Sequence, residues 1–163
     1  MATVYIETSV VSFLRTNPKA APESVLRQQI TRKWWDFHSQ SYDLVTAQYV
    51  IDESSTGNVL HVAERLAFLA GIPLLQLNDE IDRLATEILS RAILPADALL
   101  DALHIACVAV NRVDYLLTWN CKHIANPMVL PRVFRVLNDF RLPFPVICTP
   151  RDMMEGFDDE ADG

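Results

Sequence analysis

The chain has 163 residues, half of them hydrophobic, and a formal net charge of −7 at pH 7. This length suits one domain with its own core, and the hydrophobic content excludes a disordered chain. No apolar run reaches the length of a membrane span and no signal peptide is visible, so we expect a cytoplasmic protein without a membrane partner. The three cysteines lack metal-type spacing and are expected to be reduced thiols. The acidic balance disfavours a general nucleic-acid binder, but it leaves open an enzyme that approaches nucleic acid through metal ions.

Predicted strands and helices alternate along the chain. Short runs rich in β-branched and apolar residues predict five strands, at residues 3–6, 43–46, 72–77, 114–118 and 144–148. Pro73 at the start of the third run favours an edge position. This alternation is typical of an α/β layered fold with a mainly parallel sheet and right-handed crossovers.

Helices are predicted between the strands from apolar periodicity and from their end signals. The patterns place helix starts near Val10, Pro22, Tyr49, Leu60, Asp79, Pro95 and Leu130. Thr8 or Ser9 is expected to cap the first helix, and Asn58 is expected to cap the fourth. Asn78 or Asp79 is expected to cap the fifth, and residues 149–152 predict a capped final helical turn.

Four polar side chains are expected to meet at the carboxyl end of the sheet. Glu7 and Asn120 each follow a predicted buried strand, whereas Glu53 and Asp101 lie on helices next to the second and fourth strands. Open parallel sheets bind ligands at that end. Oxygen ligands suit Mg²⁺ or Mn²⁺, and clustered carboxylates repel one another unless a cation or a proton lies between them. Such a cation activates water and holds a phosphoryl oxygen, which is the chemistry of phosphodiester hydrolysis.

Each of these residues also has an ordinary structural interpretation. Glu7 fits a charge at a strand end or a partner of a helix N-terminus. Glu53, beside Asp52, fits a solvated helix face. Asp101 is the strongest candidate, because an unpaired carboxylate among apolar helix neighbours is costly. His104, one turn later, is interpreted as a hydrogen-bonding neighbour rather than a base.

Three segments resemble a known family. They are YIETSVVSFL at residues 5–14, DALHIA at residues 101–106 and YLLTWNCKHIAN at residues 115–126. Together with Val50 and Glu53 they resemble the PIN domain, and most closely the VapC-type toxins of bacterial type II toxin–antitoxin pairs. The resemblance extends to about Met154.

The resemblance implies a fold and an activity. The implied fold is a PIN domain over residues 1–156, a three-layer sandwich whose five-stranded, mainly parallel sheet has the order 3-2-1-4-5 with helices on both faces. An acidic tail at residues 157–163 is expected to be disordered. The implied activity is that of a Mg²⁺- or Mn²⁺-dependent endoribonuclease toxin. Its implied partners are RNA, a cognate antitoxin and a second copy in a homodimer.

The resemblance also assigns residues to the site. The metal-binding acids of the family fall on Glu7, Glu53 and Asp101, and its fourth catalytic position falls on Asn120. Candidate substrate-binding residues beside them are Thr8, Ser9, Thr118 and Lys122.

The chain departs from the family pattern at two of these positions and at one nearby position. Glu7 replaces the usual aspartate, Asn120 is neutral where aspartate is frequent, and His123 stands where many relatives carry an acid. The lost negative charge weakens the hold on a second metal ion. A catalytically degenerate PIN domain that binds RNA or antitoxin without cutting is therefore an alternative. A phosphoesterase of another kind on the same fold is a third interpretation.

Further residues are candidate partner contacts. Lys122 and Arg15 are candidate contacts to the RNA backbone. Trp34, Trp35 and Phe37 form a candidate surface for self-association or a protein partner, although core packing is the expected role of at least one of the two tryptophans.

Overall fold

The computed structural model describes residues 1–155. The acidic tail expected at residues 157–163 lies outside the described residues, and so does residue 156. No helix in the described range is both long and apolar enough to cross a bilayer.

A parallel four-stranded sheet forms the centre of the described chain. Its strands are β1 (Thr3–Ile6), β2 (Asp43–Val45), β3 (Tyr115–Leu117) and β4 (Val146–Cys148), in the order β2-β1-β3-β4. All three neighbouring pairs are parallel. The two inner strands β1 and β3 therefore end at the same edge of the sheet, and Ile6 pairs with Leu117 there.

The predicted strand at residues 72–77 is reduced to a single bridge. Thr46 pairs with Leu74 in parallel, and the Leu75 N–H donates to the Thr46 carbonyl oxygen at 2.8 Å. Pro73 has no N–H to extend this ladder, and Leu74 and Leu77 are 47% and 42% exposed, so little burial favours a full strand. The α/β fold with a parallel sheet is confirmed. The finer expectation of a three-layer sandwich with five strands in the order 3-2-1-4-5 is not confirmed.

Helices connect and cover the strands. They are α1 (Thr8–Leu14), α2 (Pro22–Phe37), α3 (Gln48–Ser54), α4 (Val59–Leu69), α5 (Asp79–Arg91), α6 (Leu99–Val110) and α7 (Leu130–Asp139). Residues 150–155 are also helical. Short 3₁₀ turns occupy Ser39–Ser41 and Ala96–Ala98. Helix α6 is the most buried of these elements, and its mainly apolar sequence packs closely against α5.

Side-chain caps set several helix starts. Asn58 accepts a hydrogen bond from the Leu60 N–H at 2.9 Å, and Asn78 accepts one from the Ile81 N–H at 3.1 Å, as predicted. Thr149 and Asp152 exchange reciprocal hydrogen bonds between side chain and backbone at the start of the last helical turn, which confirms the predicted cap.

The tryptophans of α2 divide between core and surface. Trp34 is fully buried, which confirms core packing for one of the two. Trp35 is partly buried and meets Phe68 of α4 edge to face, with ring centroids 5.9 Å apart. Phe37 at the end of α2 is 75% exposed.

Candidate active site

Glu7 lies at the junction of β1 and α1, where it acts on both elements. Its backbone N–H donates to the Leu117 carbonyl oxygen at 3.2 Å and extends the pairing of β1 with β3. Its side chain caps α1, because Oε2 accepts a hydrogen bond from the Ser9 N–H at 2.8 Å. The cap predicted at Thr8 or Ser9 was therefore wrong by one or two residues. The glutamate side chain, longer than that of aspartate, extends from the end of β1 to the first turn of α1.

The Glu7 carboxylate is surrounded by hydroxyl donors. Its Oε2 atom also accepts hydrogen bonds from the Ser9 hydroxyl and, at 2.9 Å, from the Thr118 hydroxyl. Glu7 is only 4% exposed. Burial raises its pKa, and the opposing effects of His104 and of the Ser9 and Thr118 hydrogen bonds do not cancel that rise. The Glu7 carboxyl group thus retains a proton more readily than an exposed glutamate does.

Glu53 belongs to a chain of short hydrogen bonds that runs into the core. Its Oε1 atom accepts from the Thr8 hydroxyl at 2.7 Å and contacts His104 Nε2 at 2.7 Å. The other ring nitrogen of His104, Nδ1, lies 2.7 Å from the Tyr5 hydroxyl. An ionised carboxylate only accepts, so His104 Nε2 donates to Glu53. His104 is a hydrogen-bonding residue as predicted, but its partners are Glu53 and Tyr5 rather than Asp101.

The electrostatics of this chain differ from those of Glu7. Burial alone acts to raise the pKa of Glu53, but hydrogen bonds from His104 and Thr8 and the charge of His104 outweigh it, so the pKa is lowered. Burial, reinforced by Cys107 and by the nearby Glu7 and Glu53 carboxylates, raises the pKa of Tyr5 well above its usual value. Glu53 is thus held as a carboxylate, and Tyr5 is held as a phenol.

Asp101 on α6 faces the loop that follows β3. Its Oδ1 atom accepts from the Asn120 amide nitrogen at 3.1 Å, and its Oδ2 atom lies 2.9 Å from His123 Nδ1. The Asn120 carbonyl oxygen accepts from the His123 backbone N–H at 3.0 Å. The side chains of Asp101 and His123 are 20% and 19% exposed, so this group borders solvent. The side-chain oxygen of Asn120 is therefore used within the loop.

The four predicted catalytic residues lie in two adjoining hydrogen-bonded groups, one containing Glu7, Asn120 and Asp101 and the other containing Glu53. We call the two groups together the acidic network. The Thr118 hydroxyl donates to Glu7 and accepts from the Asn120 N–H at 2.9 Å, which links the strand end to the Asp101 group. Thr8, next to Glu7 in the chain, holds Glu53. The parallel pairing of β1 with β3 brings these residues to one edge of the sheet.

The predicted substrate-binding residues have unequal roles in this arrangement. Thr118 is fully buried, and the hydroxyls of Thr8, Ser9 and Thr118 all orient carboxylates. Lys122 is exposed on the loop after β3. Substrate contact by any of the four stays a prediction, and Lys122 is the one whose exposure favours it.

His123 is a member of the network that sequence reasoning interpreted only as a missing acid. Its spacing of three residues from Asn120 on a polar loop was the available signal, because such spacing allows a side chain to cap a turn. The identity of its partner Asp101, 22 residues earlier, depends on tertiary packing.

The ligand chemistry of the network suits a hard cation, because Glu7, Glu53 and Asp101 offer oxygen atoms only. Within residues 1–155, no three His, Cys, Asp or Glu side chains are positioned to hold a metal ion together. Both Asp101 oxygens already accept hydrogen bonds, whereas Glu7 Oε1 receives none from a described residue. The residues fit Mg²⁺ or Mn²⁺ by ligand type, and cation binding at Asp101 requires it to exchange a hydrogen-bond partner.

Comparison with models of protein families, with curated proteins and with solved structures finds no match for this chain. The resemblance to PIN domains therefore rests on the motif residues that the sequence itself carries.

Proposed function

We propose that this protein is a metal-dependent endoribonuclease of the PIN type, acting as the toxin of a toxin–antitoxin pair. The observation that carries the proposal is the hydrogen-bonded group of Glu7, Asn120 and Asp101 at the carboxyl edge of a parallel sheet, with Glu53 held beside it by Thr8. Such an edge is where open α/β sheets bind ligands.

The carboxylates of Glu7, Glu53 and Asp101 are the groups that would hold Mg²⁺ or Mn²⁺. A bound cation supplies an acidified water and neutralises charge on a phosphoryl group. Thr118 and Ser9 orient Glu7, and Thr8 and His104 orient Glu53. Asn120 orients Asp101 through its amide N–H.

The partners follow from the same proposal. RNA is the substrate, and a cognate antitoxin and a second copy of the chain are the protein partners, in the cytoplasm. Exposed apolar side chains support a protein contact, since Phe37 on α2 and Val59 and Leu60 on α4 are 73–81% exposed. Val59 and Leu60 are neighbours at the start of α4, and exposed apolar side chains that adjoin one another mark interaction sites more often than scattered ones do.

The test combines calorimetric titration with Mn²⁺ and an RNA cleavage assay on wild type and Asp101→Asn. We expect Asp101→Asn to lose cation binding and about 100-fold or more of the cleavage rate, the scale of removing one group that contacts reacting atoms. Asp36→Asn is the matched control, because Asp36 is exposed on α2 and outside the network. Unchanged cleavage in a folded Asp101→Asn protein contradicts the site assignment.

A binding module without catalysis is the second candidate. It is favoured by the use of both Asp101 oxygens and of the Asn120 carbonyl oxygen within the protein, and by the raised pKa of Glu7. RNA or antitoxin binding without any cation-dependent turnover would establish this candidate in place of the nuclease.

A further inference from the structure

Trp119 connects the acidic network to helix α2. Its backbone N–H donates to the Ser9 hydroxyl at 2.8 Å, and its indole N–H donates to the Thr31 hydroxyl at 2.8 Å. The ring of Phe13 meets it edge to face, with centroids 6.1 Å apart. Trp119 is 5% exposed. These contacts fix the position of the Trp119 ring beside Ser9 and Thr118, which donate hydrogen bonds to Glu7.

Two guanidinium groups lie over this one ring. The central carbon of Arg27 is 5.1 Å from the indole centroid, and that of Arg151 is 5.9 Å away. Both distances lie within the range of a cation–π contact. Arg27 projects from α2, and Arg151 projects from the helical turn after β4. Two positive charges are therefore held in fixed positions over one ring.

Both guanidinium groups keep donors for another molecule. Arg27 gives one N–H to Glu23 at 3.3 Å, and Glu23 is itself 77% exposed. Arg151 is exposed and donates no hydrogen bond to residues 1–155. A guanidinium has several N–H donors arranged as a planar fork, so most of this capacity remains available.

The other arginines near α1 are engaged within the protein. Arg15, a predicted RNA contact, lies 2.9 Å from His61 Nε2. Arg32 donates to the Leu14 carbonyl oxygen at 2.8 Å and lies over the Phe68 ring. Arg27 and Arg151 therefore replace Arg15 as the better candidates for an anion.

The position of the pair relative to the acidic network follows from the sheet. The Thr118 N–H donates to the Cys148 carbonyl oxygen at 3.0 Å, so the turn that carries Arg151 begins at the edge where Thr118 contacts Glu7. Positive charge thus borders the acidic network on the side of Trp119.

We propose that Arg27 and Arg151, held against Trp119, bind backbone phosphates of single-stranded RNA beside the acidic network. The inference rests on the proposed nuclease function and assigns the substrate contact of that site. A planar guanidinium pairs with phosphate through two parallel hydrogen bonds. Contact with the ring restricts both side chains before RNA arrives, which lowers the entropy cost of binding. The adjoining network, proposed to hydrolyse phosphodiesters, favours RNA over an acidic polypeptide as the anion.

The test measures the affinity of the full chain for fluorescein-labelled polyuridine by anisotropy, in EDTA so that the RNA stays intact, over a series of KCl concentrations. We expect Arg27→Gln/Arg151→Gln to weaken binding about tenfold or more and to reduce the slope of log K against log salt by about 1.4, for two lost phosphate contacts. Arg27→Lys/Arg151→Lys keeps both charges and should keep most of the slope. The matched control is Arg83→Gln/Arg135→Gln, which removes two exposed charges from α5 and α7.

Each outcome decides between the two proposals. If the glutamine pair binds RNA like the control pair, the inference is wrong and the nuclease proposal stands. If its RNA affinity falls as expected but wild type cuts no RNA with Mn²⁺, the inference stands and the nuclease proposal fails. Wild type that binds polyglutamate but no RNA overturns the inference in favour of an acidic protein partner. Thermal melts of every variant identify any that fails to fold. If the glutamine pair does, Arg151→Gln alone, a change at an exposed position, supplies the comparison, with an expected slope reduction of about 0.7.

Discussion

The candidate site contains two carboxylate–histidine pairs that differ in their surroundings. The inner pair joins Glu53 to His104 at 2.7 Å, and the outer pair joins Asp101 to His123 at 2.9 Å. His104 is completely buried and its second nitrogen contacts Tyr5, whereas His123 is 19% exposed. The two carboxylate–histidine contacts are similar in length but differ in the burial of the histidine. In the inner pair the histidine is part of the core and only Glu53, 30% exposed, borders solvent, whereas both members of the outer pair border solvent, where their partners can exchange.

Replacing each histidine by phenylalanine should produce the largest difference in stability between the two pairs. His104→Phe leaves the buried Tyr5 hydroxyl without a partner and leaves Glu53 with Thr8 alone. We expect a loss of about 1–3 kcal/mol in the free energy of unfolding, the cost of one unsatisfied buried group. His123→Phe, the matched change in the outer pair, should cost about 1 kcal/mol or less. Urea unfolding measures both, and equal losses would show that the two pairs do not differ.

Removing the Tyr5 hydroxyl tests how the inner pair is fixed. Tyr5→Phe keeps the ring in the core but leaves His104 Nδ1 without its partner, so we expect a loss of about 1–2 kcal/mol. Combined with His104→Phe, the change should cost much less than the sum of the two, because each removes the same contact. Additive losses in urea unfolding would contradict a shared hydrogen bond.

The two glutamates of the site should affect stability in opposite directions with pH. The pKa of Glu7 is raised above its ordinary value of 4.5, so the folded state holds the proton more tightly and stability due to Glu7 falls as the pH rises above 4.5. The pKa of Glu53 is lowered, so its stabilisation is present above 4.5 and is lost as the pH falls through the folded value.

Unfolding of wild type, Glu7→Gln and Glu53→Gln across this acidic range measures the two effects. Relative to Glu7→Gln, wild type should become less stable as the pH rises. Relative to Glu53→Gln, it should become more stable. Parallel curves for all three proteins would mean that neither carboxyl group is perturbed.

Thiol reactivity gives the mildest test of the difference between the inner part of the site, which is the buried region around His104, and the outer part, which is the loop around His123. Burial raises the pKa of the Cys107 and Cys148 thiols to about 12, so few thiolates form there. Cys121, next to Asn120 in the outer part, is exposed. A thiol-specific disulfide reagent at mildly alkaline pH should modify one thiol per folded chain quickly, and Cys121→Ser should abolish that phase. Rapid modification of Cys107 would show that the inner part opens.

Local signals in the sequence predicted most of the helices and the inner strands. Residues 3–6 are β-branched and aromatic, and Asn58 and Asn78 carry side chains that cap a helix wherever one begins. The prediction of a strand at residues 72–77 was not confirmed, because a strand there depends on burial against a neighbouring element. There Thr46 pairs only with Leu74, and Pro73 limits the ladder.

The positions of the site residues were predictable, but their partners were not. Glu7 and Asn120 follow strands, so parallel pairing alone brings them to one edge. The contacts of His104 with Tyr5 and Glu53 span 99 and 51 residues of chain. No local pattern specifies contacts of that range, because they depend on how α6 packs against β1 and α3.

The amino-acid sequence by itself determined the alternation of strands and helices, the caps at Asn58 and Asn78, and the polar side chains that follow the two inner strands, because these depend on neighbours a few residues away. Tertiary structure decided which histidine holds which carboxylate, why the pKa of Glu7 rises while that of Glu53 falls, and that Arg27 and Arg151 share one ring. Burial and long-range contact set each of these, and both exist only once the sheet has formed and the helices have packed on it.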